Sequence, residues 1–336
     1  MNLGILRCGI AAILFGISAP AASRLTDDMG PFALAGLLYL GAAIAVVPIV
    51  ARSRQPAAAL RASLPNLSLA VVLGGLLGPV LLAVGLDLVP AATASLLLNL
   101  ELVFTTLIAG VVFHEHLGGR VIAGTALVVA GGAVLAGTAD PDLRWGALVI
   151  AGACFCWAID NSATASIDQI TPSTVTLAKG IIAGGTNFAI GVRTGGLPDT
   201  AALLAALMIG AIGYGASITL WVAGARDLGA ARGQLVFATA PFVGAAVAWT
   251  FLPDPVTTRE LVAFGAAATG VAFVSRSTHE HTHEHERLTH THEHDAHHAH
   301  PHEPPTTGRH THPHQHEPLT HRHPHIPDLH HRHRHP

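Results

Sequence analysis

This chain has little charge. Only 25 of its first 275 residues are Asp, Glu, Lys or Arg, where a water-soluble domain carries about a quarter. Water is therefore the wrong solvent for most of the chain. The net charge is −3, there is a single lysine, Lys179, and the arginines are scattered, which excludes a polybasic nucleic-acid binder. Cysteine is scarce as well. Cys8, Cys154 and Cys156 all lie in apolar runs with no Cys-x-x-Cys spacing, so neither a disulfide framework nor a zinc site is indicated. No nucleophile constellation and no phosphate-binding glycine motif is present, and neither enzymatic activity nor an ATP-driven pump is expected. Histidine is abundant but confined, since 22 of 24 lie beyond Ser275.

What fills the first 275 residues is apolar runs long enough to cross a bilayer core of about 30 Å, which takes about 20 helical residues. Ten such runs are bounded by charge, Pro or Gly: 3–23, 30–51, 66–86, 91–113, 119–138, 143–166, 172–193, 200–224, 229–252 and 257–275. In lipid the backbone must satisfy its own hydrogen bonds, and runs without period-2 alternation do so as helices. The first run imitates a secretory signal, with Arg7 ahead of it and Ala19-Pro20-Ala21 resembling a cleavage site. Its counterpart deeper in the chain argues that it is retained. Arginines in alternate connections set the orientation. Arg7, Arg52, Arg54, Arg61, Arg120, Arg226, Arg232 and Arg276 fall on one side, and Arg24, Arg144, Arg193 and Arg259 on the other. Both termini are therefore expected in the cytoplasm.

Sliding the sequence on itself by 139 residues aligns 74–135 with 213–274 without a gap: Gly74 meets Gly213, Leu81 meets Leu220, Arg120 meets Arg259, and Gly131 meets Gly270. An offset of five helices places the second copy upside down relative to the first. Inverted repeats of this kind are a recurring plan of secondary transporters, with the site near the midplane between the halves. The expected fold is an all-α integral membrane protein of ten transmembrane helices in two inverted five-helix repeats, 1–138 and 139–275. A disordered His-rich tail, 276–336, follows.

The stretch VPAATASLLLNLELVFTTLIAGVVFHEHLGGRVIAGTALVVAGG from Val89, with LGAARGQLVFATAPFVGAAVAWTF from Leu228, resembles the EamA-type permeases of the drug/metabolite transporter superfamily. The resemblance covers residues 1–275 and not the tail. It implies an inner-membrane carrier of ten helices that exports small metabolites or amino acids. Where the family pattern reads Glu-Pro, this chain has Glu101-Leu102, and proline is kept at Pro241 in the second half.

Charged residues within a membrane are costly and mark pathways or relays. Glu101, Asp160 and Lys179 are the clear cases. Asp160 and Lys179 flank one loop, each about 14 Å from it at 1.5 Å per residue, which brings an ion pair within reach. Asn161 adds an amide, Thr186 shares the Lys179 face at α-helical spacing, and Thr105 lies one turn from Glu101. Gly180 and Gly184 form a small-xxx-small pattern that lets another helix approach. The pair reads either as a permanent structural neutralisation or as a cavity-lining centre, with Lys179 as counter-ion to a substrate carboxylate or as a proton-linked switch. Glu101 fits helix packing as well as proton coupling. Tyr214 and Gln234 are further pathway residues. His114-Glu115-His116 has histidines two apart rather than the four a zinc helix needs.

The tail repeats His-x-His: His279, His281, His283 and His285; His290, His292 and His294; His310, His312, His314 and His316; His321, His323 and His325. Prolines from Pro301 onward and the lack of apolar residues predict disorder. Imidazole binds divalent transition metals, so Ni, Co, Zn or Cu on the tail is expected, with no cofactor required for transport. The tail reads as a metal buffer or sensor, a pH-responsive appendage, or an extension without a transport role. Two classes of function follow. One is an exporter of a small metabolite or amino-acid-like solute, or of a divalent metal or metal chelate. The other is a non-transporting membrane anchor displaying a metal-binding tail. The partners expected are the lipid bilayer, a small-molecule substrate and a coupling proton, with no nucleic acid, in a monomer or homodimer.

Overall fold

The computed structural model describes residues 3–53, 55–112, 117–137, 140–165, 167, 169–228, 230–253 and 255–275. In the tail it describes 279–285, 288–294, 310–316 and 319–325. Side chains at 165, 225–228, 230–232, 234 and throughout the tail lie outside the description. The helical body and the segment 278–326 are separate compact units.

Every described element of the body is helical. These are α1 (Leu3–Ser23), α2 (Pro31–Val50), α3 (Ala57–Leu88), α4 (Ala91–Val111), α5 (Gly119–Ala136), α6 (Pro141–Ala165), α7 (Pro172–Gly195), α8 (Thr200–Leu228), α9 (Ala230–Phe237), α10 (Ala240–Phe251) and α11 (Thr258–Ser275). The first eight are long and apolar enough to cross a membrane; α9 and α10 are shorter, and α11, with the same 18 residues as α5, is not among them. The third helix begins at Ala57, well before the apolar run at 66. Hydropathy marks the part that suits lipid, whereas backbone hydrogen bonding carries on through the polar turn around Arg61.

Local chemistry sets the ends. Pro31 opens α2 after an extended Gly30. Thr171 caps α7, its hydroxyl accepting from Thr174 N at 3.4 Å, and Asp199 caps α8 by accepting from Ala201 N at 2.7 Å. At α11 Thr257 and Glu260 form a reciprocal capping box. Glu260 N donates to Thr257 Oγ1 at 3.2 Å, and Thr257 N donates to Glu260 Oε2 at 3.0 Å. The other Glu260 oxygen accepts from Thr93 Oγ1 of α4 at 2.9 Å, so this buried carboxylate ties two helices together.

The halves of the chain interdigitate. α1 packs on α8 and α10, α3 on α6, α2 on both α7 and α8, α4 on α10, and α5 on α11. Leu34, Leu37, Leu38, Leu82 and Ile150 fill the centre with a large set of alanines. Large aliphatics such as Ile13, Ile44, Val111 and Leu148 face outward. An apolar outside around small residues inside is the reverse of a water-soluble bundle and fits lipid as solvent. Gly180 and Gly184 lie directly against α2: a Cβ at 180 would meet Ala43 Cβ and Tyr39 O, and one at 184 would meet Leu40 N and Gly36 O. The expected close approach is present.

Three stretches are π-helical: Ala70–Leu77 in α3, Lys179–Gly184 in α7, and Gly210–Ala216 in α8. At the 139-residue offset the first falls on the third. A π turn lifts carbonyls out of the i→i−4 ladder, and those carbonyls need donors. Gly74 O accepts from Tyr39 OH at 2.6 Å and from Trp157 Nε1 at 3.1 Å, while Leu76 O accepts from Asn187 Nδ2 at 3.1 Å.

The tail is described only over its His-x-His runs. Its His-x-His runs form four strands, β1 (His279–His285), β2 (Leu288–His294), β3 (His310–His316) and β4 (Leu319–His325). They pair antiparallel as β1 with β4 and β2 with β3. Alternation in steps of two is the strand period. In two-stranded ladders every strand is an edge, where Pro313 and Pro324 are tolerated.

Candidate functional site

The polar residues of the body converge across three helices. Lys179 Nζ on α7 donates to both carboxylate oxygens of Asp160 on α6 at 2.6 Å, and Thr164 Oγ1 donates to Asp160 Oδ1 at 3.0 Å. The pair is well covered, with side-chain exposures of 12% for Lys179 and 5% for Asp160. Next to Asp160 on α6, Asn161 Nδ2 donates to Glu101 Oε1 of α4 at 2.6 Å. One turn of α6 thus carries both an ion pair to α7 and a hydrogen bond to α4. The backbone of α3 closes the fourth side, because Gly74 abuts the Asp160 carboxylate with no room for a Cβ. The widened turn that lets Gly74 O serve two donors therefore sits against the charged group.

Glu101 also lines a cleft of about 40 Å³, with Phe15 of α1, Leu98 and Asn99 of α4, and Phe237 and Pro241 on either side of the α9–α10 join. Both walls are interrupted helices. In α4 Asn99 N donates to Leu96 O and Leu102 N to Asn99 O, each at 3-residue spacing, and Thr239 N and Phe242 N repeat this with Val236 O and Thr239 O. The turn in α4 forms although Leu102 replaces the proline, because i→i−3 bonds tighten the helix without one. A larger cavity of about 360 Å³ lies at the N-terminal end of α4, lined by Pro90, Thr93, Leu143, Thr257, Arg259 and Glu260.

Of the residues singled out from sequence, Lys179, Asp160, Asn161 and Glu101 are brought together. Thr105 is half-buried on α4. Tyr214 is buried on α8 between Tyr39 and Phe15, with ring centroids at 5.6 and 5.5 Å. Thr186 is displaced: it lies on the exposed side of α7 near Ile181 and Ile182, its hydroxyl donating to Ile182 O at 2.6 Å. The physical reason is the π stretch from Lys179. Each of its residues turns the helix by less than the α-helical 100°, so position 187 faces inward instead. Asn187 is fully buried there. The Gln234 side chain, the His114-Glu115-His116 segment and the side chains of the tail histidines lie outside the described residues.

Sequence reasoning missed Asn187, Tyr39, Trp157, Gly74 and Glu260. Glu260 had a readable signal in Thr257-x-x-Glu260, the capping-box spacing. The others depend on π geometry, which apolar periodicity does not carry.

The comparisons with known proteins agree with this architecture. The model of the EamA-like transporter family matches twice, over residues 2–137 and 144–276. The chain belongs to the EamA-like transporter family. It is a multi-pass membrane protein built from two EamA repeats. A solved crystal structure of a protein 21% identical matches with a TM-score of 0.58, covering 81% of this chain and 95% of the other, which speaks for the fold alone. No curated protein matches.

Proposed function

We propose that this member of the EamA-like family is a secondary-active exporter of a small metabolite or amino-acid-like solute, working by alternating access. In this reading α9 with α10, and α11, complete ten spans in two inverted halves within the bacterial inner membrane, with both termini cytoplasmic. The carrying observation is the pair of links made by neighbouring residues of α6, Asn161 to Glu101 and Asp160 to Lys179, which gathers three ionisable groups from three helices inside an apolar body. Lipid-facing packing needs no such cluster, and charge is retained in a membrane where it is used. Lys179 offers a cation to a solute carboxylate, which would compete with Asp160 for it. Proton exchange at Asp160 or Glu101 supplies the driving ion. Glu101 reaches the cleft at the two helix interruptions, where solute has access to backbone groups.

The test is flux of radiolabelled amino acids and small organic acids in proteoliposomes under an imposed pH gradient, after a screen for the responsive compound. Lys179→Ala and Asp160→Asn are expected to abolish flux while the protein stays folded by gel filtration. Wild-type kinetics in both variants would remove the proposal.

A further inference from the structure

The cavity of about 360 Å³ at the N-terminal end of α4 takes no part in the reading built on Lys179, yet its volume lies in the range of small-molecule sites. Four parts of the chain meet around it. They are the start of α4 at Pro90 and Thr93, the end of α5 at Leu135, the start of α6 at Leu143, and the join of α10 to α11 from Pro255 to Glu260. In the orientation proposed above this is the periplasmic end of the body. The Glu101 cleft lies eight residues deeper along α4 than Thr93, roughly 12 Å at the helical rise.

The lining divides into two kinds of surface. Pro90, Leu135, Leu143 and Pro255 are apolar, and every other lining residue is polar, with one charge of each sign. Glu260 is only 3% exposed and accepts three hydrogen bonds, from Thr93 Oγ1, Thr257 N and Thr257 Oγ1. A carboxylate has about four acceptor sites, so one is left open. Among the described residues no cation pairs with it, although a buried charge is costly unless paired. Arg259, the preceding residue, is exposed and makes neither an ion pair nor a hydrogen bond among the described residues. The Thr258 hydroxyl is likewise unpartnered there. Neighbouring residues of opposite charge thus line one cavity without pairing with each other. Each lacks a counter-charge, and one ligand carrying both signs answers both.

We propose that this cavity binds a small zwitterion, its oxyanion held by Arg259 and Thr258 Oγ1, its primary ammonium by Glu260, and an apolar substituent against Leu135 and Leu143. The guanidinium fork matches a carboxylate or a phosphate, and an ammonium has three donors, one of which fills the open acceptor site of Glu260. A neutral α-amino acid and the headgroup of an ethanolamine phospholipid share this chemistry. The free amino-acid form rests on the exporter reading, in which this cavity is where solute leaves the carrier.

The experiment measures binding rather than flux. Leucine and dihexanoyl phosphatidylethanolamine are titrated separately by calorimetry into the full chain in detergent, beside three analogues that lack one charge: N-acetylleucine, leucinamide and dihexanoyl phosphatidylglycerol. At least one of the two zwitterions is expected to bind, and its analogues to bind about tenfold more weakly or worse, the loss of one hydrogen bond to a charged group. The tighter of the two identifies the source. Arg259→Gln, at an exposed and unpartnered position, is expected to weaken binding by about tenfold or more with unchanged elution on gel filtration. Arg144→Gln, exposed at the start of α6 but not part of the cavity lining, leaves binding unchanged. Failure of both zwitterions to bind, equal binding of the singly charged analogues, or equal loss in the two arginine variants would overturn the inference. Binding that persists where proteoliposomes show no flux removes the exporter reading and leaves this site standing, and flux without binding here does the reverse.

Discussion

The decisive perturbation of the body removes the Lys179–Asp160 charges singly and then together. The two side chains are only 12% and 5% exposed, so deleting one partner strands the other charge in a poorly solvated place. The expected loss is about 3–5 kcal/mol for Lys179→Met or Asp160→Leu. Replacing both, K179M with D160L, removes both charges and fills similar volume, which is neutral or stabilising by about 1–4 kcal/mol in comparable buried pairs. Thr164 loses its acceptor in that variant, a penalty of about 1 kcal/mol. The double variant should therefore regain most of the stability lost by either single change, read by thermal unfolding in detergent. Transport separates the two roles of the pair. If Lys179 and Asp160 meet solute or protons, the double variant folds and moves nothing in proteoliposomes. Wild-type flux in the double variant would refute the functional reasoning and leave the pair as structural neutralisation. Single losses below about 1 kcal/mol would refute the burial argument itself.

Gly74→Ala drives a methyl group into the Asp160 carboxylate and is expected to cost about 1–3 kcal/mol together with most flux, whereas Gly185→Ala, with open space around it, leaves stability unchanged or slightly raised in the same unfolding assay. Asn187→Leu removes the donor to Leu76 O in a fully buried position and is expected to destabilise by about 1–3 kcal/mol. Thr186→Ala on the exposed side should stay within about 0.5 kcal/mol, and the reverse ranking would show that the π register is misassigned. Glu260→Ala breaks the reciprocal cap and the bond from Thr93 at about 1–3 kcal/mol. A loss much smaller than that would mean water replaces the carboxylate.

Much of this molecule was legible as sequence because lipid imposes a simple rule on composition. A run such as 31–50 has one physical outcome in a bilayer, and the pairing of Asp160 with Lys179 followed from two charges at matching depth beside one loop. The resemblance at Val89 and Leu228 reached the family by pattern alone. What stayed hidden depends on departures from regular geometry. Thr186 and Asn187 differ by one position, and only the wide turn beginning at Lys179 decides which of them faces inward. Tyr39 and Trp157 read as ordinary apolar-run aromatics until Gly74 presents a carbonyl that its own helix cannot use. The link from Glu101 to Asn161 joins helices far apart in the chain, and no local period encodes it.

The duplication of the body extends to some of its irregular features but not to its ion pair or to Glu101. The π stretch of α3 falls on that of α8 at the repeat offset, and the tightened turns of α4 recur around Thr239. Yet Glu101 falls on Ala240, and at the same offset Lys179 and Asp160 fall on Leu40 and Ala21. A carrier whose halves exchange roles by rocking has two matching sets of moving parts but, in this chain, one set of ionisable groups. On the proposed alternating-access reading, both access states present the same Lys179–Asp160 pair, reached from opposite sides. On that reading the helices beside the pair change their contacts between the states. α3 is among them, packed on α6 and bearing a widened turn against Asp160, where a helix can alter its register at the least cost in backbone hydrogen bonds.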